Sequence, residues 1–399
     1  MMKCRAVIFF LAAVCLPLCG CGTQTAEGGE KVAYALCAET SEYCMAETEQ
    51  GFYRMSSGYL YYADKTDVSK WMPVCSKPNC THDGNTEGCD AALGGRGFRL
   101  QNGRVYFYAS YSFYGGDGGV ALASISAGGG DRRLEKAISA TLPGVGGQWR
   151  NCMSGVGDVL FCSGMNEAGT FDNVAVLVQD GEERVLARGN TEEINYSFLG
   201  TTTHAEHIGG DLAIAYLLND GQEDEGTVLY HIGEEELEAL GDTADLGLGV
   251  MQNWDMVGAY LQGTTLQAYL PNDGYYDVDL ATGERVKTMD VRMADSWGWH
   301  LTEQYILESP LLKRQPESPP ELGEGPHGME LYDGETWRPV KLPEELEQAQ
   351  GTPELLPVAL ASDRIFLTWQ DYENRANRLY QILLGDGDLE MTYISLFSW

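Results

Sequence analysis

The sequence predicts an all-β chain folded as a single β-propeller of seven blades, each of four short strands. Three observations predict it. Apolar or alternating runs recur in pairs around polar turns, the turns recur at a nearly fixed interval, and helical periodicity is confined to one short stretch. Six or eight blades are the near alternatives, because the first interval is stretched and residues 37–56 do not parse cleanly into strands. Stacked β-sandwiches are the rival fold and would show strands without a constant period.

The chain of 399 residues is long enough for two or three domains or one large repeat domain. Hydrophobic residues at 44% with 22 Tyr, 11 Phe and 8 Trp supply a sizeable core, so disorder is excluded for the bulk of the chain. Against 59 Asp and Glu stand 26 Lys and Arg, a formal charge of −33. Such a surface repels phosphate backbones, and nucleic-acid binding is not expected. It also lacks a basic patch for docking on anionic lipid.

Residues 1–20 have the order of a secretion signal: Lys3 and Arg5 form the positive start, and Ala6 to Leu18 is an apolar run too short for a comfortable membrane span. The next residues, Leu18-Cys19-Gly20-Cys21, resemble a bacterial lipobox. That resemblance implies acylation of Cys21 after cleavage, a membrane anchor through its lipid, and a chain facing the extracytoplasmic side. Loss of Lys3 and Arg5 with the signal moves the formal charge from −33 to −35. Residues 21–36 then serve as a flexible tether, with TQTAEGGE at 23–30 showing no apolar periodicity. No later run approaches 18 apolar residues, so no further span is expected.

Residues 37–399 form the repeat domain. Seven hairpins are expected at 59–74, 120–138, 173–187, 227–240, 275–289, 329–342 and 378–394. Their turns, marked by Thr66, Gly129, Gly181, Glu234, Thr282, Gly334 and Gly385, are spaced by 63, 52, 53, 48, 52 and 51 residues. Before most of them comes another pair of short strand-like runs, as at 103–113, 158–166, 211–219, 264–272 and 363–371. Four strands in about fifty residues is the rhythm of a propeller blade. Tyr106, Tyr108, Phe161, Tyr216, Tyr269, Phe366 and Trp369 are placed to fill the gaps between twisted sheets. Ring closure would cover sheet edges, and a monomer is expected. Two stretches break the rhythm: a Cys-rich insert at 75–97 between the first two units, and a Pro- and Glu-rich loop at 310–328 projecting from the sixth. The one helical stretch expected is 343–350, PEELEQAQ, with Pro and acids in its first turn.

Of 11 cysteines, Cys4, Cys15, Cys19 and Cys21 belong to the signal and lipobox. The spacings of Cys37 with Cys44 and of Cys152 with Cys162 permit disulfides outside the cell, with buried free thiols as the alternative. Cys75, Cys80 and Cys89 enclose His82 as C-x4-C-x-H-x6-C, the ligand set of a closed tetrahedral zinc site. Such a site is structural, because four protein ligands leave no position for water. A disulfide with one spare thiol, or three reduced cysteines, fits the same spacing. The run Asp83-Gly-Asn85-Thr-Glu87-Gly88 has the first half of a calcium loop without its twelfth-position Glu, and reads as a polar turn.

The lipobox, the GYLYYADK hairpin and VCSKPNCTHD followed by GCDA together resemble a group of β-propeller lipoproteins of anaerobic Gram-positive bacteria. Cys75, Lys77, Pro78, Cys80, His82, Cys89 and Ala91 stand at the positions of that group's C-x-K-P-x-C-x-H and C-x-A segment. The resemblance spans about fifty residues, implies the fold and a surface location, and brings no activity with it.

No G-x-S-x-G elbow, P-loop or H-E-x-x-H occurs. His204-Ala-Glu206-His207 is the nearest other cluster and reads as exposed polar residues. The expected function is therefore extracellular binding of a protein, peptide or glycan, with Trp254, Trp297 and Trp299 either recognising it from the propeller face or packing between blades. The alternative is a glycan-acting hydrolase or lyase at the channel mouth, which needs two facing carboxylates. A structural envelope protein is the third reading.

Overall fold

Alternation along the runs pairs them edge to edge, and a computed structural model shows the result. It describes residues 45–139 apart from 57, 83–87 and 117; 148–190 apart from 154–157, 166–170 and 180; seven short strand segments between 196 and 242; and 259–398 apart from 263, 271–272, 313–320, 352–354 and 372–375. All seven expected hairpins form, and each is the outer half of an antiparallel group of four strands.

Sheet one pairs Met45–Glu47, Gly51–Ser56, Tyr59–Asp64 and Met72–Pro73. Sheet two pairs Gly95–Gln101, Arg104–Ser110, Val120–Ser126 and Arg133–Ile138. Sheet three runs from Gln148–Met153 to Glu182–Asn190, sheet four from Thr203–His204 to Leu237–Asp242, and sheet five from Tyr260–Gln262 to Arg285–Asp290, with Gly209–Gly210 added in parallel beside Tyr260–Gln262. Sheet six pairs Trp297–His300, Ile306–Ser309, Glu330–Tyr332 and Trp337–Lys341; sheet seven pairs Leu355–Leu360, Arg364–Asp371, Ala376–Leu383 and Leu389–Ser398. A two-residue parallel pairing of Val340 and Lys341 with Leu389 and Glu390 joins the last two into one eight-stranded sheet.

Successive sheets pack face to face. Tyr53, Met55 and Leu60 of sheet one meet Phe98, Leu100, Val105 and Phe107 of sheet two. Tyr108, Val120 and Ile138 of sheet two meet Leu160, Cys162 and Val174 of sheet three. Tyr269 and Tyr275 of sheet five share a cluster with Trp297, Leu307 and Leu331 of sheet six and with Leu355, Leu367 and Tyr380 of sheet seven. Sheet seven then packs back on sheet one: Met45, Phe52 and Val68 are buried with Val358, Phe366, Leu379, Ile394 and Phe397. Among the described residues sheets one to three and five to seven pack on their neighbours and the last on the first, the arrangement of a β-propeller. Residues 37–56, hard to parse by eye, contain the first two strands, joined by a turn in which the Thr48 hydroxyl accepts the Gly51 N–H at 3.0 Å.

The closing seam is made by side chains, since sheets one and seven share no strand among the described residues. The Phe52 and Phe366 rings meet edge to face at 5.0 Å, and the Phe397 ring takes Tyr61 at 5.1 Å and the Arg54 guanidinium at 4.5 Å. Glu47, buried at the seam, accepts the Ser362 N–H at 2.8 Å, a bond from its hydroxyl, and an ion pair from Lys65. Burial alone would raise the Glu47 pKa, but Lys65 and Ser362 outweigh it and hold the carboxyl below its ordinary value. A depressed native pKa contributes stability that is present above the unfolded value and lost as pH falls through the native one. Glu47→Gln is therefore expected to lower the melting temperature at pH 7. The gap to the parent chain should close in acid, as thermal melts from pH 7 to 3 would show.

The helix forms at Glu344–Glu347 after Pro343, within the expected 343–350. The 310–328 stretch is not wholly solvated: Leu311 and Leu312 are fully buried, and Leu322 bridges to Gly351. Among the described residues no helix is long and apolar enough to cross a membrane.

Candidate metal centre

The cysteine-rich insert lies inside a strand. Val74 N–H donates to the Leu60 carbonyl at 2.9 Å, while the Leu60 N–H donates to Ala91 and the Leu93 N–H to Gly58, each at 2.9 Å. Tyr59 faces Ala92 in an antiparallel bridge. The outer strand of sheet one thus runs through Val74, loops out over residues 75–90, and resumes at 91–93 in the same direction. Cys75 stands where the chain leaves the strand, and Cys89 just before it returns.

Local conformation folds the loop on itself. Pro78 and Asn79 make the turn between Cys75 and Cys80, with Asn79 at φ 61°, the left-handed value that Asn tolerates at the third position of such a turn. His82 also has positive φ, 52°. The result is that the ligand atoms of Cys75, Cys80, His82 and Cys89 all lie within 4.8 Å of one another. His82 Nδ1 is 3.2 Å from Cys89 Sγ. Tetrahedral zinc with bonds of about 2.0–2.3 Å needs ligand atoms about 3.5–3.8 Å apart, so small side-chain rotations suffice.

The surroundings of Cys75 suit a thiolate. Burial raises the Cys75 thiol, but the backbone N–H groups of Lys77, Asp90 and Ala91 and the Cys80 thiol outweigh it and bring it below its ordinary value. Burial pushes Cys89 up to about 11 despite N–H groups of Ala92 and Ala91 aimed at its sulfur. Donors converging on sulfur are what a negative thiolate bound to a cation requires, and a thiol does not. In this structure the three sulfurs are free thiols, not a disulfide.

The loop is fastened to sheet two. The Arg132 guanidinium donates to the carbonyls of Cys89, Asp90 and Ala92 at 3.3, 3.0 and 2.6 Å. Asp90, buried, accepts the Ser76 N–H at 3.1 Å and its hydroxyl at 2.6 Å, and pairs with Lys77 at 3.4 Å. Gly129, at φ 85° in the outer hairpin of sheet two, lies so close that a Cβ there would stand 2.7 Å from Ser76 N. A centre at this place ties the interrupted strand of one sheet to the turn of the next.

No protein-family model and no curated protein matches the chain. Among solved structures it is similar to YCF48 from Cyanidioschyzon merolae, at 10% identity over 84% of this chain and 96% of that one, with a TM-score of 0.42. The computationally designed Ika8 protein is 11% identical over 92% of this chain and 100% of its own, with a TM-score of 0.41. The β-propeller domain of the Trilobed protease from Pyrococcus furiosus, which has an open velcro topology, is 10% identical over 77% and 98%, with a TM-score of 0.37. The propeller assignment here rests on strand order and ring closure.

Other expected site residues fare differently. Cys162 is a buried free thiol, pushed up to about 12 by burial. Of the two readings of the Cys152 and Cys162 pair, bridge or free thiols, the second holds for Cys162, and the register sets Cys152 opposite Val159 and Trp149 opposite Cys162. An offset of three residues is about 10 Å along a strand, beyond disulfide reach. Trp297 and Trp299, candidates for ligand recognition, are buried at 5% and 1% exposure and pack between sheets. Cys21, Cys37, Cys44, Trp254, the Asp83 to Glu87 turn, Glu206 and His207 lie outside the described residues, and His204 lies on the two-residue strand Thr203–His204. Arg132, Gly129 and Asp90 were not singled out from sequence as parts of the centre. The glycine run at 128–130 is the one local signal of a close approach there.

Proposed function

We propose that this chain is a lipid-anchored β-propeller, held outside the cell by Cys21, stiffened by zinc on Cys75, Cys80, His82 and Cys89, and used to bind an extracellular protein, peptide or glycan. The observation that carries the reading is the convergence of four protein ligands at one point. Zinc so bound has no open position, so its contribution is to folding rather than to hydrolysis.

Two further features favour binding over catalysis. Every carboxylate among the described residues whose ionisation the fold shifts, Asp90 and Asp363 for example, is pulled down, which suits ion pairs and not a general acid. The most perturbed groups are sealed in packing: the Tyr275 hydroxyl donates to buried Glu308 at 2.6 Å, and His300, edge-on to Tyr275, is held to about 3 by burial. The anchor is tested by fractionation. Cys21→Ser is expected to move the protein from the membrane to the soluble fraction, and retention in the membrane would remove the lipoprotein reading.

A further inference from the structure

Resting on the zinc reading, we propose that the Cys75, Cys80, His82 and Cys89 centre is a staple that peroxide opens, Cys75 and Cys80 closing to a disulfide as zinc leaves.

The four ligands are not equally protected. Cys89 is buried at 1% exposure, whereas Cys75, Cys80 and His82 are half-buried. The Cys80 sulfur lies within 4.8 Å of both other sulfurs, so it is common to either pairing. Exposure directs the reaction to Cys75, and the Pro78–Asn79 turn already folds the chain between the two. Cys162 in sheet three is the internal contrast, a thiol sealed in apolar packing.

The chemistry balances with hydrogen peroxide as oxidant. One thiolate attacks a peroxide oxygen; the S–O bond forms, the O–O bond breaks, and the departing hydroxide takes a proton to become water. The second thiolate then attacks that sulfur; the S–S bond forms, the S–O bond breaks, and a second hydroxide takes a proton and leaves as water. Two thiolates are oxidised by two electrons and one peroxide is reduced. The disulfide sulfurs carry no charge for zinc, so the ion departs with only Cys89 and His82 left to hold it, and Cys89 takes up a proton.

The structure also says what opening would release. Residues 74 and 91–93 keep their backbone bonds to sheet one, while the Cys75–Ser76 backbone seated against Gly129 and the loop carbonyls on Arg132 lose their clamp. The effect is local to the loop and the sheet-two turn, with the ring intact.

The experiment uses the full chain in detergent, zinc-loaded and free of excess metal, titrated with hydrogen peroxide beside a chromogenic zinc indicator and followed by peptide mass mapping. Release of one zinc per chain, a Cys75–Cys80 disulfide, unmodified Cys162, and recovery with a thiol reductant plus zinc are expected. A Cys162→Ala variant should respond identically. Zinc retained through a tenfold excess of peroxide, or a first disulfide that includes Cys89, overturns the proposal and leaves the zinc reading standing. Untreated protein that holds no zinc overturns both.

Discussion

Phe366→Ala is expected to lower the unfolding free energy by about 3–5 kcal/mol, the range for emptying a fully buried phenylalanine site. The side chain is fully buried and its ring meets Phe52 at 5.0 Å across the seam between the first and last sheets. Elsewhere in the chain, neighbouring sheets follow one another along the backbone. Here no described strand pairing joins them and side-chain contacts hold the seam, because every described strand of sheet one comes from the N-terminal part and every strand of sheet seven from the C-terminal part. Urea denaturation would report the loss as a lower midpoint. The double variant Phe52→Ala, Phe366→Ala should lose less than the sum of the single losses, since either substitution removes the same ring contact. A single-variant loss under about 1 kcal/mol would mean that the ring is not closed by this packing.

Cys80→Ser combined with His82→Ala removes two of four ligands and is expected to lower the melting temperature by about 5–10 °C. Zinc bound only to the native chain at a thousand times its Kd contributes about 4 kcal/mol, and in a large domain each kcal/mol moves Tm by about 2 °C. A chelator should lower the parent chain by the same amount and leave the variant unmoved. That pairing separates loss of metal from loss of packing, because a cavity or strain would persist in the variant without making the parent chelator-sensitive. Equal melting points for parent and variant would remove the staple.

Hairpins were legible where one face of a strand meets solvent. The Leu389–Ser398 strand, for example, buries Leu389 and Met391 and exposes Glu390 and Thr392. In sheet six, by contrast, Trp297–His300 and Ile306–Ser309 are buried at every position, so alternation vanishes and the second of these runs went unread. Its Glu308 is fully buried, yet satisfied by Tyr275, Ser296 and the N–H groups of Arg292 and Met293, partners that no local pattern discloses.

At the centre, the ligand types were legible because thiol, thiol, imidazole and thiol within fifteen residues are chemically distinctive. Their fastening was not, since Arg132 lies more than forty residues beyond Cys89 and reaches it only when sheet two folds beside sheet one. For Cys152 and Cys162 the sequence leaves bridge and free thiols both open for a related reason: spacing along the chain suits a hairpin bridge, but the register between the strands sets who faces whom.

The most direct test of the zinc-held loop is the mass of the soluble chain, made without residues 1–21 and purified without chelator, measured under native and then denaturing conditions. A native mass exceeding the denatured one by a single zinc, with the denatured mass showing Cys75, Cys80 and Cys89 as free thiols, is expected. Equal native and denatured masses, short by the two hydrogens of a disulfide among those cysteines, would contradict it.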